Sequence, residues 1–276
     1  MDSTNEVSIY ILTHKKIIED YDKSLYIPLL NGSALLTEDF GYLRDDTGKN
    51  VSKLNPYLAE LTGEYWVWKN SQADIIGFCH YRRWFVKNIF LKKINIEDIL
   101  TSLNEYDIIL PQKTKYTQSV MNELDAARIK NPNYHPSKDD YNILKQYLKK
   151  NHPKYYKNYK HIMDGKEIYL NTIFIANKKL ANQYFTWLFS IFNDLKGEID
   201  FTKYSKGNKR VFAFFCEILL SVFVKTNKLK IKEYPLHYTE RKIPILYILI
   251  KKFPRIAILE GKIAKLINLL NKNKLD

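Results

Sequence analysis

The chain has 276 residues, 45% of them hydrophobic and 27% charged, with 9 Gly and 9 Pro. That length suits one large domain or one domain with an appendage, and the composition excludes extensive disorder. The formal net charge of +14 points to an anionic partner: nucleic acid, anionic lipid or a phosphorylated substrate.

The N-terminus MDSTNEVSIY lacks the basic-then-apolar layout of a secretory leader. Cys79 and Cys216 both lie in apolar runs, where a buried thiol is the expected state rather than a disulfide or a metal ligand. A cytoplasmic location is expected. Residues 7–13, VSIYILT, are β-branched and aromatic, which suits a buried parallel strand. His14, Lys15 and Lys16 follow at its carboxyl end, where open α/β sheets hold their ligands, so they form a candidate site edge.

Asn55-Pro56 opens a helix, with Asn as cap and Pro at the first position. Tyr57, Leu61, Tyr65 and Trp68 then recur at helical spacing as a core-facing stripe, with Trp66 off it. Glu60 and Glu64, one turn apart, read as surface groups by pattern alone. Ile75 to Cys79 is the second strand, IEDILTSLN a short amphipathic helix, and Tyr106 to Pro111 the third strand, with Pro111 marking its exit.

Residues 112–168 are polar and rich in Lys, Asn and Tyr, and they contain the turn-like NPNYHPSKDD. Loops and helices over one end of the sheet are expected there, the usual location of substrate-selecting segments. His135, Asp139 and Asp140 fall within it, each a surface residue if taken alone. Residues 169–176, YLNTIFIA, form a fourth apolar strand interrupted by Asn171, a polar group that needs partners if buried. Residues 180–195 and 210–224 read as helices, the second apolar except for Arg210, Cys216, Glu217 and Ser221. A buried Glu217 either pairs with a group such as Arg210 or has a raised pKa suited to proton transfer.

From residue 241 to 276 there are nine cations against Glu260 and Asp276, half of the chain's net charge. The apolar stretch 243–250 is under half of the roughly 20 residues that cross a bilayer. Ile256, Leu259, Ile263, Leu266, Ile267 and Leu270 alternate with Lys at helical spacing. Such a basic amphipathic helix can lie in a membrane interface, each cation near an anionic leaflet contributing about 1 kcal/mol. The alternative is a terminal helix docked on the core.

The second strand runs into DIIGFCHYRRWF, residues 74–85, which places His80, Arg82 and Arg83 among aromatics at a strand end. The chain has no Gly-rich phosphate loop, no HExxH, no GxSxG and no Cys/His cluster. Arginine makes planar bidentate contact with phosphate, and aromatic neighbours can stack on a base or sugar. Asp20-Tyr21-Asp22 has the spelling of the metal-holding Asp-x-Asp pair of many sugar transferases, but it does not directly follow an apolar strand. If arginines take the metal's place, fixed cations stabilise the departing diphosphate. Otherwise Arg82 and Arg83 are solvated charges past a strand end.

The run NPYLAELTGEYWVWKNSQADIIGFCHYRRWF, with SIYILTHKK before it, resembles a bacterial family of uncharacterised-domain proteins usually described as capsular or exopolysaccharide glycosyltransferases. That family carries N-x-x-Y-x-E-L-T-x-x-Y-W-x-W-K-N leading into G-x-x-H-Y-R-R-Y-F. The likeness continues through YDIILP, residues 171–175, YFTWLF at 184–189, and an Arg-x-x-Gly-Phe-x-x-Glu helix seen here as Arg210 to Glu217, so that it covers about residues 7–240. Thr172, Ala213 and Trp84 stand where the family usually has Met, Gly and Tyr, which leaves the donor sugar open.

The resemblance implies a GT-A-like, Rossmann-type α/β fold over residues 1–240, a mostly parallel central sheet flanked by helices; residues 241–276 follow as the basic amphipathic helical tail read from their own spacing and charge. It implies a hexosyltransferase, some relatives transferring galactofuranose or galactose. The donor would be a UDP-sugar and the acceptor a lipid-linked oligosaccharide of capsule, O-antigen or exopolysaccharide synthesis. The tail would hold the protein peripherally at the anionic inner face of the cell membrane. By motif, His14, Thr62, His80, Arg82, Arg83 and Asn171 are expected to bind the donor, and His135 with Asp139 the acceptor. Arg82 and Arg83 also stabilise the leaving group, without metal or other cofactor. An inverting transfer needs a base for the acceptor hydroxyl, with Glu217 the first candidate and Glu60 the second. From another class, a non-catalytic RNA-binding protein would use the basic charge and the many tyrosines. The concentration of charge in the tail argues against nucleic acid as partner.

Overall fold

The computed structural model describes residues 5–87, 91–132, 134–205 and 209–239. The chain divides into a unit of Met1–His237 and a unit of Tyr238–Asp276. The amphipathic helix expected at 241–276 lies outside the described residues. Among the described residues no helix is long and apolar enough to cross a membrane.

Strand β1 is Val7–Thr13, β2 is Tyr26–Leu30 and β3 is Leu43–Arg44. Helices α1 (Asn55–Leu58) and α2 (Leu61–Asn70) precede β4 (Ile75–His80) and β5 (Arg83–Phe85). Helix α3 (Ile96–Glu105) leads to β6 (Ile108–Pro111) and the two-residue β7 (Thr114–Lys115). Three helices follow: α4 (Val120–Lys130), α5 (Lys138–Asn151) and α6 (Pro153–Asp164). Then come β8 (Glu167–Ile168), β9 (Ile175–Asn177), α7 (Lys178–Leu195), α8 (Val211–Thr226) and β10 (Ile231–Tyr234).

The central sheet has the order β10-β6-β9-β4-β1-β2-β3. Pairs β1/β2, β2/β3, β1/β4 and β6/β10 are parallel, and β9 runs antiparallel between β4 and β6. This is the expected α/β arrangement, a mostly parallel sheet flanked by helices. Both faces of β1 are covered, because alternate side chains enter different cores. Tyr10 and Leu12 join the face packed with Val67, Phe185 and Phe215 of α2, α7 and α8. Ile9 and Ile11 join the opposite face with Trp84, Phe85 and Ile99. The continuous apolar run VSIYILT is the consequence of this double burial.

Several expectations change in the structure. The strand expected over 169–176 is formed only at Ile175–Asn177, because Asn171 takes a left-handed φ of 66° and turns the chain before it can extend. The helix opened by Asn55 does not run through the stripe from Tyr57 to Trp68. It breaks at Ala59, whose φ is 50°, and restarts at Leu61. Trp66 is buried in the core beside Tyr10 rather than off the packed face. Glu64 is fully buried, not a surface group. Asp140 is likewise buried, where its carboxylate accepts from the Ser137 N–H and hydroxyl in a capping box that starts α5. Both cysteines are buried and free.

Candidate active site

Strand β1 has its two sheet neighbours, β2 and β4, on opposite sides. The crevice outside the carboxyl ends of β1 and β4 is therefore a topological switch point, the place where open α/β sheets bind ligands. A cleft of about 180 Å³ lies there. Its walls include Thr13 and His14 at the end of β1, Asn31 after β2, Asn55, Ala59 and Glu60 around the α1–α2 break, and His80, Arg82 and Arg83 at the β4–β5 turn. Helix α8 closes it with Arg210, Ala213, Phe214 and Glu217, and Tyr134 reaches in from the α4–α5 connection.

The local geometry of CHYRR explains how two guanidiniums come to point into one cleft. His80 ends β4 and Arg83 begins β5 as directly opposed antiparallel partners, so that Tyr81 and Arg82 form a two-residue turn. The Tyr81 N–H donates to the Leu12 carbonyl at 3.2 Å, tying the turn to β1. The Tyr81 ring is buried and acts as a hub. The His80 ring lies 4.2 Å from it, the His14 ring 5.3 Å edge-on, the Lys15 ammonium 4.6 Å and the Arg82 guanidinium 5.5 Å. One aromatic ring thus gathers four basic side chains around it.

Burial, with the added charges of Arg83, Arg82, His14 and Lys15, drives the His80 pKa down to about 2. Its imidazole is neutral, and the Arg82 N–H directs a long 3.5 Å hydrogen bond at Nδ1. That contact assigns the ring proton to Nε2. Burial and the negative charge of Glu60 push the Glu217 carboxyl up to about 7, against the opposing pull of Arg83 and of the Asn171 backbone N–H. A carboxyl group poised there exchanges its proton near neutrality, as a general base must.

The α1–α2 break is built by Asn55. Its side-chain amide donates to the Ala59 carbonyl at 2.8 Å and to the Thr62 hydroxyl at 3.1 Å, holding Ala59 in its unusual backbone conformation at the cleft wall. Asn31 is buried against Gly63, where an added Cβ would meet Asn31 Oδ1 at 2.2 Å. That oxygen has no hydrogen-bond partner among the described residues.

Six expected site residues share the cleft: His14, Glu60, His80, Arg82, Arg83 and Glu217. Thr62, Asn171, His135 and Asp139 are not among its lining. Thr62 lies beneath it, bonded to Asn55 and to the Ala59 carbonyl. Asn171 acts on Glu217 through its backbone. His135 packs on Phe214 with ring centroids 4.8 Å apart, and Asp139 is exposed on the first turn of α5. Asn31, Tyr134 and Phe214 belong to the cleft without having been singled out from sequence. For Phe214 the signal was there: Arg210, Ala213, Phe214 and Glu217 are spaced as one face of a helix.

The Asp-x-Asp spelling offers no metal site. Asp22 accepts from the Ser24 N–H and hydroxyl at 2.9 and 2.6 Å, and the pair lies in the β1–β2 connection away from the cleft lining. Among the described residues no three His, Cys, Asp or Glu side chains converge on one point.

The solved apo structure of the WbbM bifunctional glycosyltransferase has this fold. It aligns at a TM-score of 0.71 and 28% identity, over 86% of this chain and 46% of that one. The chain therefore spans less than half the length of that protein. No curated protein matches the chain. The family model described as a domain of unknown function, DUF4422, matches residues 8–228, most of the chain including every lining residue of the cleft, and the chain belongs to the DUF4422 family.

Proposed function

We propose that this chain is a glycosyltransferase that moves a hexosyl unit, galactose or galactofuranose, from a UDP-sugar to the hydroxyl of a saccharide acceptor. The observation that carries the reading is the convergence of Arg82, Arg83 and Glu217 on one cleft, in a chain similar over 86% of its length to a bifunctional glycosyltransferase. The guanidiniums match a diphosphate in charge and geometry, and Glu217 titrates where a base for a hydroxyl should.

In the proposed step the acceptor oxygen attacks the anomeric carbon from the face opposite the diphosphate. The carbon–oxygen bond to UDP breaks, its electron pair leaves with the diphosphate, and the hydroxyl proton passes to the Glu217 carboxylate. Inversion follows from this in-line displacement. Arg82 and Arg83 hold the charge that develops on the leaving group, in the role a divalent ion has elsewhere. His80, neutral and donating through Nε2, adds a hydrogen bond without a further charge. A lipid-linked acceptor in capsule, O-antigen or exopolysaccharide assembly, met at the inner membrane face, is proposed from the basic sequence of residues 241–276 alone.

The RNA-binding alternative loses part of its support. Tyr10, Tyr26, Tyr81, Tyr141, Tyr159 and Tyr184 are buried in the two cores, and so are not free to stack on bases. The test is incubation with a panel of UDP-sugars while UDP release is followed, with and without chelator. Release that survives chelator and falls by two orders of magnitude in Arg82→Ala is expected. Release that requires a divalent ion, or that is unchanged in the variant, rejects the arginine mechanism.

A further inference from the structure

Tyr134 is a large aromatic side chain left 39% exposed while it lines a cleft. Its ring is braced rather than loose. Phe214 meets it edge-on at 5.4 Å and 86°, and His135 edge-on at 5.1 Å and 82°, while His135 itself rests on Phe214 at 4.8 Å. Three rings thus form a supported wall, and the outermost is turned to solvent at the cleft. The wall is polar on its hidden side, where His135 Nδ1 is buried without a partner among the described residues. Burial lowers the pKa of that imidazole, so the wall carries no added positive charge and differs from the cationic wall of strand ends.

The position of the wall assigns its occupant. Ala213, Phe214 and Glu217 line the cleft on one face of α8, and Arg210 joins them from its N-cap. Phe214 and Glu217 are three residues apart, neighbours on that face about 5–6 Å apart at Cβ. The wall at the carboxyl ends of β1 and β4 holds His14, His80, Arg82 and Arg83. A diphosphate is drawn to that basic wall, whereas the molecule that surrenders a proton to Glu217 must lie along α8. A sugar ring presents C–H groups on one face and hydroxyls at its edge, a pattern suited to an aromatic ring beside a carboxylate.

We infer that Tyr134, backed by Phe214 and His135, is the stacking platform for the acceptor saccharide. This rests on the glycosyltransferase reading above and names a subsite within it. A nucleobase could also stack on an aromatic ring, and the test separates the two.

The probes are a panel of methyl hexosides, namely the α- and β-anomers of glucoside, galactoside and mannoside, observed by saturation-transfer NMR in the presence of UDP. UDP affinity is measured separately by calorimetry. For the wild-type protein, transfer to the ring C–H protons of at least one glycoside is expected. Tyr134→Ala should weaken that glycoside about tenfold and change UDP affinity less than threefold, and Tyr134→Trp should restore it. An aromatic replacement rescues stacking but not a hydroxyl contact. Loss of UDP affinity in Tyr134→Ala with glycoside binding retained overturns the assignment and gives the platform to the base. Binding of no glycoside by the wild-type protein, or glycoside binding indifferent to Tyr134→Ala, also overturns it. Wild-type protein that binds no UDP sinks the glycosyltransferase reading itself, and the platform with it.

Discussion

His80 and Arg83 face each other as the last antiparallel pair before a two-residue turn, so a neutral imidazole and a guanidinium enter the cleft side by side. Arg83 has two effects there. In the proposed mechanism it supplies a fork for the diphosphate, and its charge holds the Glu217 carboxyl below the value that burial and Glu60 alone would impose. The two effects separate by substitution. Arg83→Ala removes both, and turnover should fall by about 100-fold while the acid limb of the kcat profile moves to higher pH. Arg83→Lys keeps the charge and loses the bidentate geometry. It should lower turnover yet leave the limb near its wild-type position. An unmoved limb in Arg83→Ala would separate Arg83 from Glu217.

Burial and Glu60 push the Glu217 carboxyl up to about 7, so with Glu217 as the proposed base kcat should rise with pH through 7 and level off once that carboxyl is ionised. Glu60 raises that value by its negative charge. Glu60→Gln should therefore move the limb toward lower pH, and Glu217→Gln should remove the limb together with most of the turnover. Folding stability runs the other way. With its folded value raised above the ordinary 4.5, Glu217 favours the folded state most below pH 4.5, and that contribution is lost as pH rises through 7. Rate profiles at saturating donor, compared among the three proteins, decide the matter. A Glu60→Gln limb that stays in place or moves to higher pH rejects the electrostatic link.

Much of this cleft is legible in the sequence because strand ends and helix faces are periodic. VSIYILT ends just before His14 and IIGFCH at His80, and the parallel register of Val7 with Ile75 makes those ends adjacent. Glu217 is recognisable as a lone carboxylate on an otherwise apolar helix. The rest depends on backbone departures that no period encodes. Ala59 and Asn171 take positive φ although neither is glycine, and so a continuous helix and a continuous strand were both expected where the chain in fact turns. β2 carries Pro28, a residue that argues against a strand interior, and yet its two neighbours are β1 and β3. Tyr134 sits in a polar segment with no period, so only its contacts with Phe214 reveal it.

Glu64 lies one turn beyond Glu60 and is fully buried, with neither carboxyl oxygen in a hydrogen bond of good geometry among the described residues. Burial raises its pKa well above 4.5, reinforced by Glu60 and only partly offset by the Thr172 hydroxyl. Glu64 therefore holds its proton to higher pH in the folded protein than in the unfolded chain. The stability it contributes is present below pH 4.5 and is lost as pH rises toward the folded value, each tenfold in proton affinity being worth about 1.4 kcal/mol. Glu64→Gln keeps the shape and cannot ionise. Relative to wild type it should gain stability between pH 4 and pH 8, read as a widening difference in Tm. A difference constant across that range would mean that Glu64 is charged in the fold.

Asp45 is fully buried and holds the loop that carries Asn31 to the cleft. Its carboxylate accepts from the Gly32 N–H at 2.8 Å, the Ser33 N–H at 2.9 Å and the Ser52 hydroxyl at 2.6 Å. Gly32 needs this support, because it turns with φ 69° where an added Cβ would meet Asn55 Cγ at 2.6 Å. Loss of the carboxylate strands two backbone N–H groups in a dry site, so Asp45→Ala should cost about 3 kcal/mol in denaturant unfolding. Asp45→Asn should cost less, because one oxygen remains while the new amide turns N–H toward N–H. Both should weaken UDP binding without touching the arginines, since Asn31 moves with Gly32. Asp45→Ala within about 0.5 kcal/mol of wild type, or with unaltered UDP affinity at a temperature where it stays folded, would show that the loop holds its place without Asp45.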